Sequence, residues 1–124
     1  YEEYFQMGKA SIHVDNIMDE IESFDVKTKK LDNFNFENKI SFIKIDVEGH
    51  EMEVIKGSEN IIKKNKPTLL VEIEEKYTQK KVIDTLNYIN LLGYNSFVLK
   101  NNELKNTKDL NDINLYNNFI FKPK

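Results

Sequence analysis

Segments of two different hydrophobic periods alternate along this chain, and that alternation limits its fold more than any other feature. Ile40-Ser41-Phe42-Ile43-Lys44-Ile45-Asp46-Val47 is rich in β-branched residues, so residues 41–46 are expected to form a strand that runs into a tight turn at Glu48-Gly49. From His50 the period becomes helical, with Met52, Val54, Ile55, Ile61 and Ile62 on one side and Glu53, Lys56, Glu59, Lys63 and Lys64 on the other. Gly57 weakens the middle of this helix by up to ~1 kcal/mol, which points to close packing against the sheet or to a break after the first two turns. Lys66-Pro67 stops it, because the residue before proline avoids the α region. Thr68-Leu69-Leu70-Val71-Glu72-Ile73 is nearly continuously apolar, the pattern of a parallel strand covered on both faces.

The alternation continues downstream. Thr78 can cap a helix that buries Val82, Ile83, Leu86, Ile89 and Leu92 and ends at Gly93. Residues 94–99 form a third strand turned by Asn101-Asn102, residues 103–114 are a polar connection, and Asn118, Phe119, Ile120 and Phe121 make a last strand stopped by Pro123. Upstream, residues 1–10 read as a flexible loop or entering strand, with Tyr4-Phe5-Gln6-Met7 faintly like a protease-site remnant. Ser11-Ile12-His13-Val14 leans to β, and Asp15 can cap a short helix over 16–23 with Ile17, Met18, Ile21 and Phe24 inward. Residues 25–39 connect, with Leu31, Phe34 and Phe36 folding back onto the core. The expected fold is α/β with a mainly parallel sheet and an antiparallel last strand, since the final two strands are too close for another long helix. A chain of 124 residues fits one domain.

Composition removes several functions. The chain has no cysteine, which excludes disulfides, thiolate metal sites and thiol nucleophiles, and its two histidines, His13 and His50, are too few for a histidine-rich zinc site. All 18 basic residues are lysine, set against 21 acids. Without an arginine fork or a basic stripe, nucleic acid is not an expected partner. The apolar runs fall far short of the ~20 residues that span a bilayer, so no membrane is expected and a cytoplasmic location is.

In an open parallel sheet, ligands bind beyond the carboxyl ends of the strands. Two such ends carry acids here: Asp46 and Glu48 after one strand, and Glu72 with Glu74 and Glu75 at the next. Asp46 and Glu48 share strand parity and project to one side if the strand continues, and His50-Glu51 opens the following helix. Each residue has a plainer role beside its chemical one. Asp46 or Glu48 could cap the helix, His50 could be a helix-start residue, and Glu74 and Glu75 could be a solvated loop edge. Lys44 could lay its stem along the sheet margin or pair with Asp46 or Glu72, and His13 reads as structural. No metal site is expected.

The run Ile43-Lys44-Ile45-Asp46-Val47-Glu48-Gly49-His50-Glu51, followed by Val54-Ile55-Lys56-Gly57-Ser58-Glu59 and by Lys66-Pro67-Thr68-Leu69-Leu70-Val71-Glu72-Ile73, closely resembles the C-terminal half of the FkbM family of S-adenosylmethionine-dependent methyltransferases. Val14-Asp15-Asn16-Ile17-Met18 is similar to that family's strand exit and Asp-led helix, so the likeness covers roughly residues 11–100. It implies a partial Rossmann-like, class I methyltransferase three-layer sandwich in which residues 41–46 are the fourth strand, residues 69–73 the fifth and the last two strands the terminal antiparallel pair. It also implies methyl transfer to a small hydroxyl or sugar acceptor. Asp46 would orient or deprotonate the acceptor and lie close to the cofactor, with Glu48, Glu72 and His50 beside it, and Glu48 and Glu51 would hold the loop or, in a metal-assisted variant, help bind Mg²⁺.

The family's glycine-rich first-strand loop has no counterpart here, because Gly8, Gly49, Gly57 and Gly93 are scattered. The chain is therefore expected to be the C-terminal part of a methyltransferase domain, lacking the N-terminal cofactor-loop half. S-adenosylmethionine would be the cofactor of the parent enzyme, and the chain alone would bind none. The alternative is a non-enzymatic remnant or interaction module. Loss of the first half would leave the strand at 41–46 as an exposed edge, through which a homodimer is expected.

Overall fold

The computed structural model describes residues 27–74 and 81–124. The expectations for residues 1–10, 11–14 and 16–23, and those for Asp15, His13, Glu75 and Thr78, lie outside the described residues. Strand β1 (Phe42–Ile45) leads through α1 (Glu51–Lys56) and α2 (Glu59–Asn65) to β2 (Thr68–Glu72). Helix α3 (Val82–Leu91) precedes β3 (Tyr94–Lys100), β4 (Glu103–Asn106) and β5 (Asn118–Pro123).

The sheet order is β1-β2-β5-β3-β4. Among the described residues only β1 and β2 pair in parallel, in the register Ile43↔Leu69 and Ile45↔Val71, whereas the β2/β5, β5/β3 and β3/β4 ladders are all antiparallel. The sheet is thus mostly antiparallel, and the expected mainly parallel arrangement is incorrect. Strand–helix alternation fixes direction: β1, β2 and β3 do run the same way, since β5 opposes both β2 and β3. It does not fix adjacency. Phe119 and Phe121 of β5 are fully buried opposite Val71 and Leu69, and the burial of two large aromatic rings draws the last strand into the middle of the sheet.

Strand β4 falls in what reads as a polar connection. Its residues are exposed or half-buried with no apolar alternation, as on an outer strand. The visible signal is its turn, since Asn101 and Asn102 both take left-handed backbone (φ 51° and 61°), the geometry of a tight hairpin.

Buried sheet residues all lie on one face: Ile45, Leu69, Val71, Tyr94, Ser96, Val98, Phe119 and Phe121. They pack with Ile55, Ile62, Val82, Leu86 and Ile89 of the helices. Helices α2 and α3 share that side, joined by a bond from Tyr88 Oη to Glu59 Oε2 at 2.8 Å, and α1 packs on α3. Among the described residues the fold is two layers, so the expected third layer is not formed by them. The opposite face carries Lys44, Leu70, Ile120 and Phe97 in one row, half-buried or exposed.

The helix after β1 breaks at Gly57-Ser58, one of the two outcomes Gly57 allows. A Cβ on Gly57 would meet Glu53 O at 3.3 Å and Lys30 Cγ at 3.6 Å, so its close contact is with the preceding turn and the 27–33 segment, not the sheet. The start of α2 is capped from afar. Asp32, in a 3-10 turn at Leu31–Asn33, accepts from the Ile61 amide at Oδ1 (3.0 Å) and the Asn60 amide at Oδ2 (3.1 Å), while its own amide donates to Gly57 O (2.9 Å). Asp32→Ala is therefore expected to lower stability by about 1–2 kcal/mol in urea unfolding, with Asp32→Asn losing less because an amide oxygen still accepts.

Lys66 ends α2 in left-handed backbone (φ 51°) and donates from Nζ to Leu92 O (2.9 Å), neutralising the carboxyl end of α3. The same ammonium stands 5.5 Å from the ring centroid of Tyr94, which is fully buried with no hydrogen-bond partner for its hydroxyl among the described residues. Burial pushes the Tyr94 phenol up to about 12 from 10, because the phenolate would be stranded in the core. The raised folded value means that its contribution is complete below pH 10 and is lost as pH rises through about 12. Tyr94→Phe is expected to keep or slightly raise stability at pH 7 and to flatten that alkaline loss, read from denaturant midpoints at several pH values.

Candidate functional site

The carboxyl ends of β1 and β2 lie side by side because the two strands are parallel. One step beyond the Ile45↔Val71 pair come Asp46 and Glu72, on the sheet face away from the helices. Lys44, two residues before Asp46, shares that face and donates from Nζ to Asp46 Oδ2 at 2.8 Å. Its ammonium pKa is raised, first by the hydrogen bond to Asp46, then by the charge of Asp46, with Glu72 adding a smaller push. Of the two readings of Lys44, pairing is the one the structure builds. The unit is a solvent-facing carboxylate held by an ammonium, with a second carboxylate on the neighbouring strand. Such a unit can accept hydrogen bonds from hydroxyl groups.

Glu48 does not continue the parity of Asp46. The strand ends at Ile45, and Glu48 (φ 47°) and Gly49 (φ 102°) both enter left-handed backbone, which turns the chain before α1. His50 occupies the N-cap position of α1 and its side chain makes no capping bond. Neither Asp46 nor Glu48 stands at that position, so the capping reading fails for both. Glu51, 3% exposed, reaches back to accept from the Gly49 amide at 2.8 Å and so holds the loop. Register thus brings Asp46 and Glu72 together, whereas Glu48, His50 and Glu51 belong to the turn beside them.

Strand β5 adds residues that the sequence does not single out. Asn118 pairs with Glu72 in register, the Ile73 amide donates to Asn117 O (2.7 Å), and Asn117 Nδ2 donates to Glu74 Oε1 (2.8 Å). Glu74 is therefore tied into the edge, not simply solvated. No local signal marks these asparagines, because their role depends on where β5 inserts.

No group of His, Asp and Glu suited to a metal ion occurs among the described residues. A concavity of about 330 Å³ lies elsewhere, beside the β3–β4 hairpin, lined by Lys100, Asn101, Glu103, Lys105, Asp109 and Leu110. It contains none of the acids at the β1 and β2 ends, and its open charged walls carry no arrangement of chemical interest, so the acidic edge remains the better site. No helix of the described residues is long and apolar enough to cross a membrane.

Compared with known proteins, residues 3–96 match a family model described as the methyltransferase FkbM domain. No curated protein and no solved structure matched the chain.

Proposed function

The chain belongs to the FkbM methyltransferase family, and from that membership we propose that its acidic strand-end face holds the acceptor hydroxyl for S-adenosylmethionine-dependent O-methyl transfer. The observation that carries this reading is the Lys44–Asp46 pair at the β1 exit with Glu72 beside it. Asp46 accepts the hydrogen bond of a small hydroxylated or sugar acceptor and takes its proton as the oxygen becomes nucleophilic. Lys44 keeps that carboxylate in place, and Glu72 binds a neighbouring hydroxyl. Glu48 and His50 border the acceptor from the turn, positioned by the Glu51 clamp on Gly49.

Family members use S-adenosylmethionine. The described residues do not fit the whole cofactor. The turn after β1, where exposed amides could hold the methionine carboxylate, already has its Gly49 amide taken by Glu51, and the carboxylates of Glu48 and Glu51 in that turn oppose a further carboxylate. These residues suit the acceptor, and we assign the chain to that side of the reaction, as the C-terminal half of a methyltransferase domain inactive on its own. Calorimetric titration of the chain with S-adenosylmethionine is expected to show no saturable site in the micromolar range. A longer polypeptide that adds a glycine-rich strand-to-helix loop is expected to bind one equivalent and to methylate hydroxylated acceptors. A one-to-one micromolar site on the chain alone would overturn the assignment.

A further inference from the structure

We infer that Asn118 is a specificity-determining residue of the acceptor face: it adds a neutral hydrogen-bond donor to a row of acids and so favours a ligand with oxygens on consecutive carbons over an isolated alcohol. The inference rests on the acceptor reading of the acidic edge. Asn118 is the register partner of Glu72, and Asp46 lies one step beyond the Ile45↔Val71 pair, so the three residues form one row across the ends of β1, β2 and β5. Phe119, the next residue, is fully buried on the helix-covered face, which puts Asn118 on the opposite face with Asp46 and Glu72. Neighbouring strands lie about 4.8 Å apart, so one small molecule can touch all three side chains. Strand β5 falls outside the matched residues 3–96, so this end of the row is not part of what the family model describes.

The members of the row offer different chemistry. The carboxylates of Asp46 and Glu72 only accept hydrogen bonds, so they hold hydroxyl groups by their protons and leave the oxygen lone pairs unmet. The Lys44 ammonium is engaged by Asp46 (2.8 Å) and lies opposite Leu70, one pair further in. The Asn117 side chain is engaged by Glu74 (2.8 Å), and its carbonyl takes the Ile73 amide (2.7 Å), which fixes β5 beside β2 at this point. Asn118 is exposed, and its carboxamide can donate to a hydroxyl or ring oxygen next to the one held by Glu72. A pyranoside spans the row. An alcohol with a single oxygen, held at Asp46, does not reach Asn118.

Amide-resolved NMR of the chain, titrated with methyl β-glucopyranoside and separately with cyclohexanol, tests this. The glucoside is expected to shift the Asn118 side-chain amide together with the backbone amides of Asp46 and Glu72, saturably, whereas cyclohexanol leaves the Asn118 side chain unmoved. Asn118→Asp, which keeps the size and loses the donor, should weaken glucoside binding roughly three- to tenfold, as loss of one hydrogen bond does. Asn118→Gln keeps the carboxamide and should retain more of the affinity than Asn118→Asp. The same spectra verify that each variant is folded. Shifts at Asp46 and Glu72 that leave the Asn118 side chain still would overturn the role of Asn118 while the acceptor face stands. So would equal glucoside affinity in Asn118→Asp, or an equal response of the Asn118 side chain to cyclohexanol. No shift at any of the three residues would overturn the acceptor reading itself, and this inference with it.

Discussion

Asp46→Asn is expected to lower methyltransferase turnover by about 10²- to 10⁴-fold, the range usual for loss of a general base, while changing the cofactor Kd by less than about threefold. The amide keeps the size of the side chain and removes its charge and its ability to take a proton. Folding should not confound the result. Asp46 and Lys44 are both largely solvent-facing, and exposed ion pairs contribute little to stability. The substitution also removes the main causes of the raised Lys44 pKa, leaving the smaller push from Glu72, so that pKa should fall back toward its ordinary value. Lys44→Met, which leaves the carboxylate but frees it, should give a smaller loss of turnover than Asp46→Asn. Single-turnover and steady-state kinetics on the variants decide the matter. Unchanged turnover in folded Asp46→Asn would reduce Asp46 to a partner that merely steadies the strand end.

The second large effect concerns the strand that displaced the expected parallel neighbour. Phe121 is fully buried in the middle of the sheet, with Leu69 on one side and Ser96 on the other. Phe121→Ala removes the ring and leaves a cavity between rigid strands, at a cost of about 3–5 kcal/mol. The whole stability of a domain this size is about 5–15 kcal/mol, so the variant should be barely folded or unfolded at 37 °C. Leu115→Ala, at a site 77% exposed, should change the urea midpoint little and serves as the comparison. A loss below about 1 kcal/mol for Phe121→Ala would mean that β5 does not occupy the centre of the sheet.

Much of the site was legible because it is local. The acids sit at strand ends that hydrophobic period alone locates, and Lys44 stands two residues from Asp46, where any strand puts both on one face. The Glu72 neighbour follows once β1 and β2 are parallel, which a helical connection between them favours. The projected alignment of Glu48 with Asp46 failed for a local reason too: the turn at Glu48-Gly49 uses left-handed backbone, and parity ends where the strand does. The cap on α2 was hidden for the opposite reason. Asp32 lies 28 and 29 residues from the amides it holds, and no window of sequence connects them.

The sequence by itself determined the described elements other than β4, their directions and the family motif, because hydrophobic period, turn residues and helix stops act within a few residues of one another. It also placed Asp46 and Glu72 each at the carboxyl end of a strand. Only the tertiary structure decided which strands touch. Co-directional β2 and β3 could have paired, but Phe119 and Phe121 gain most by burial between them, so β5 enters from the opposite direction and makes the sheet mostly antiparallel. That same insertion brings Asn117 and Asn118 to the acidic edge. Strand order is set by competition for the most buried position, a global comparison of surfaces that no single segment encodes.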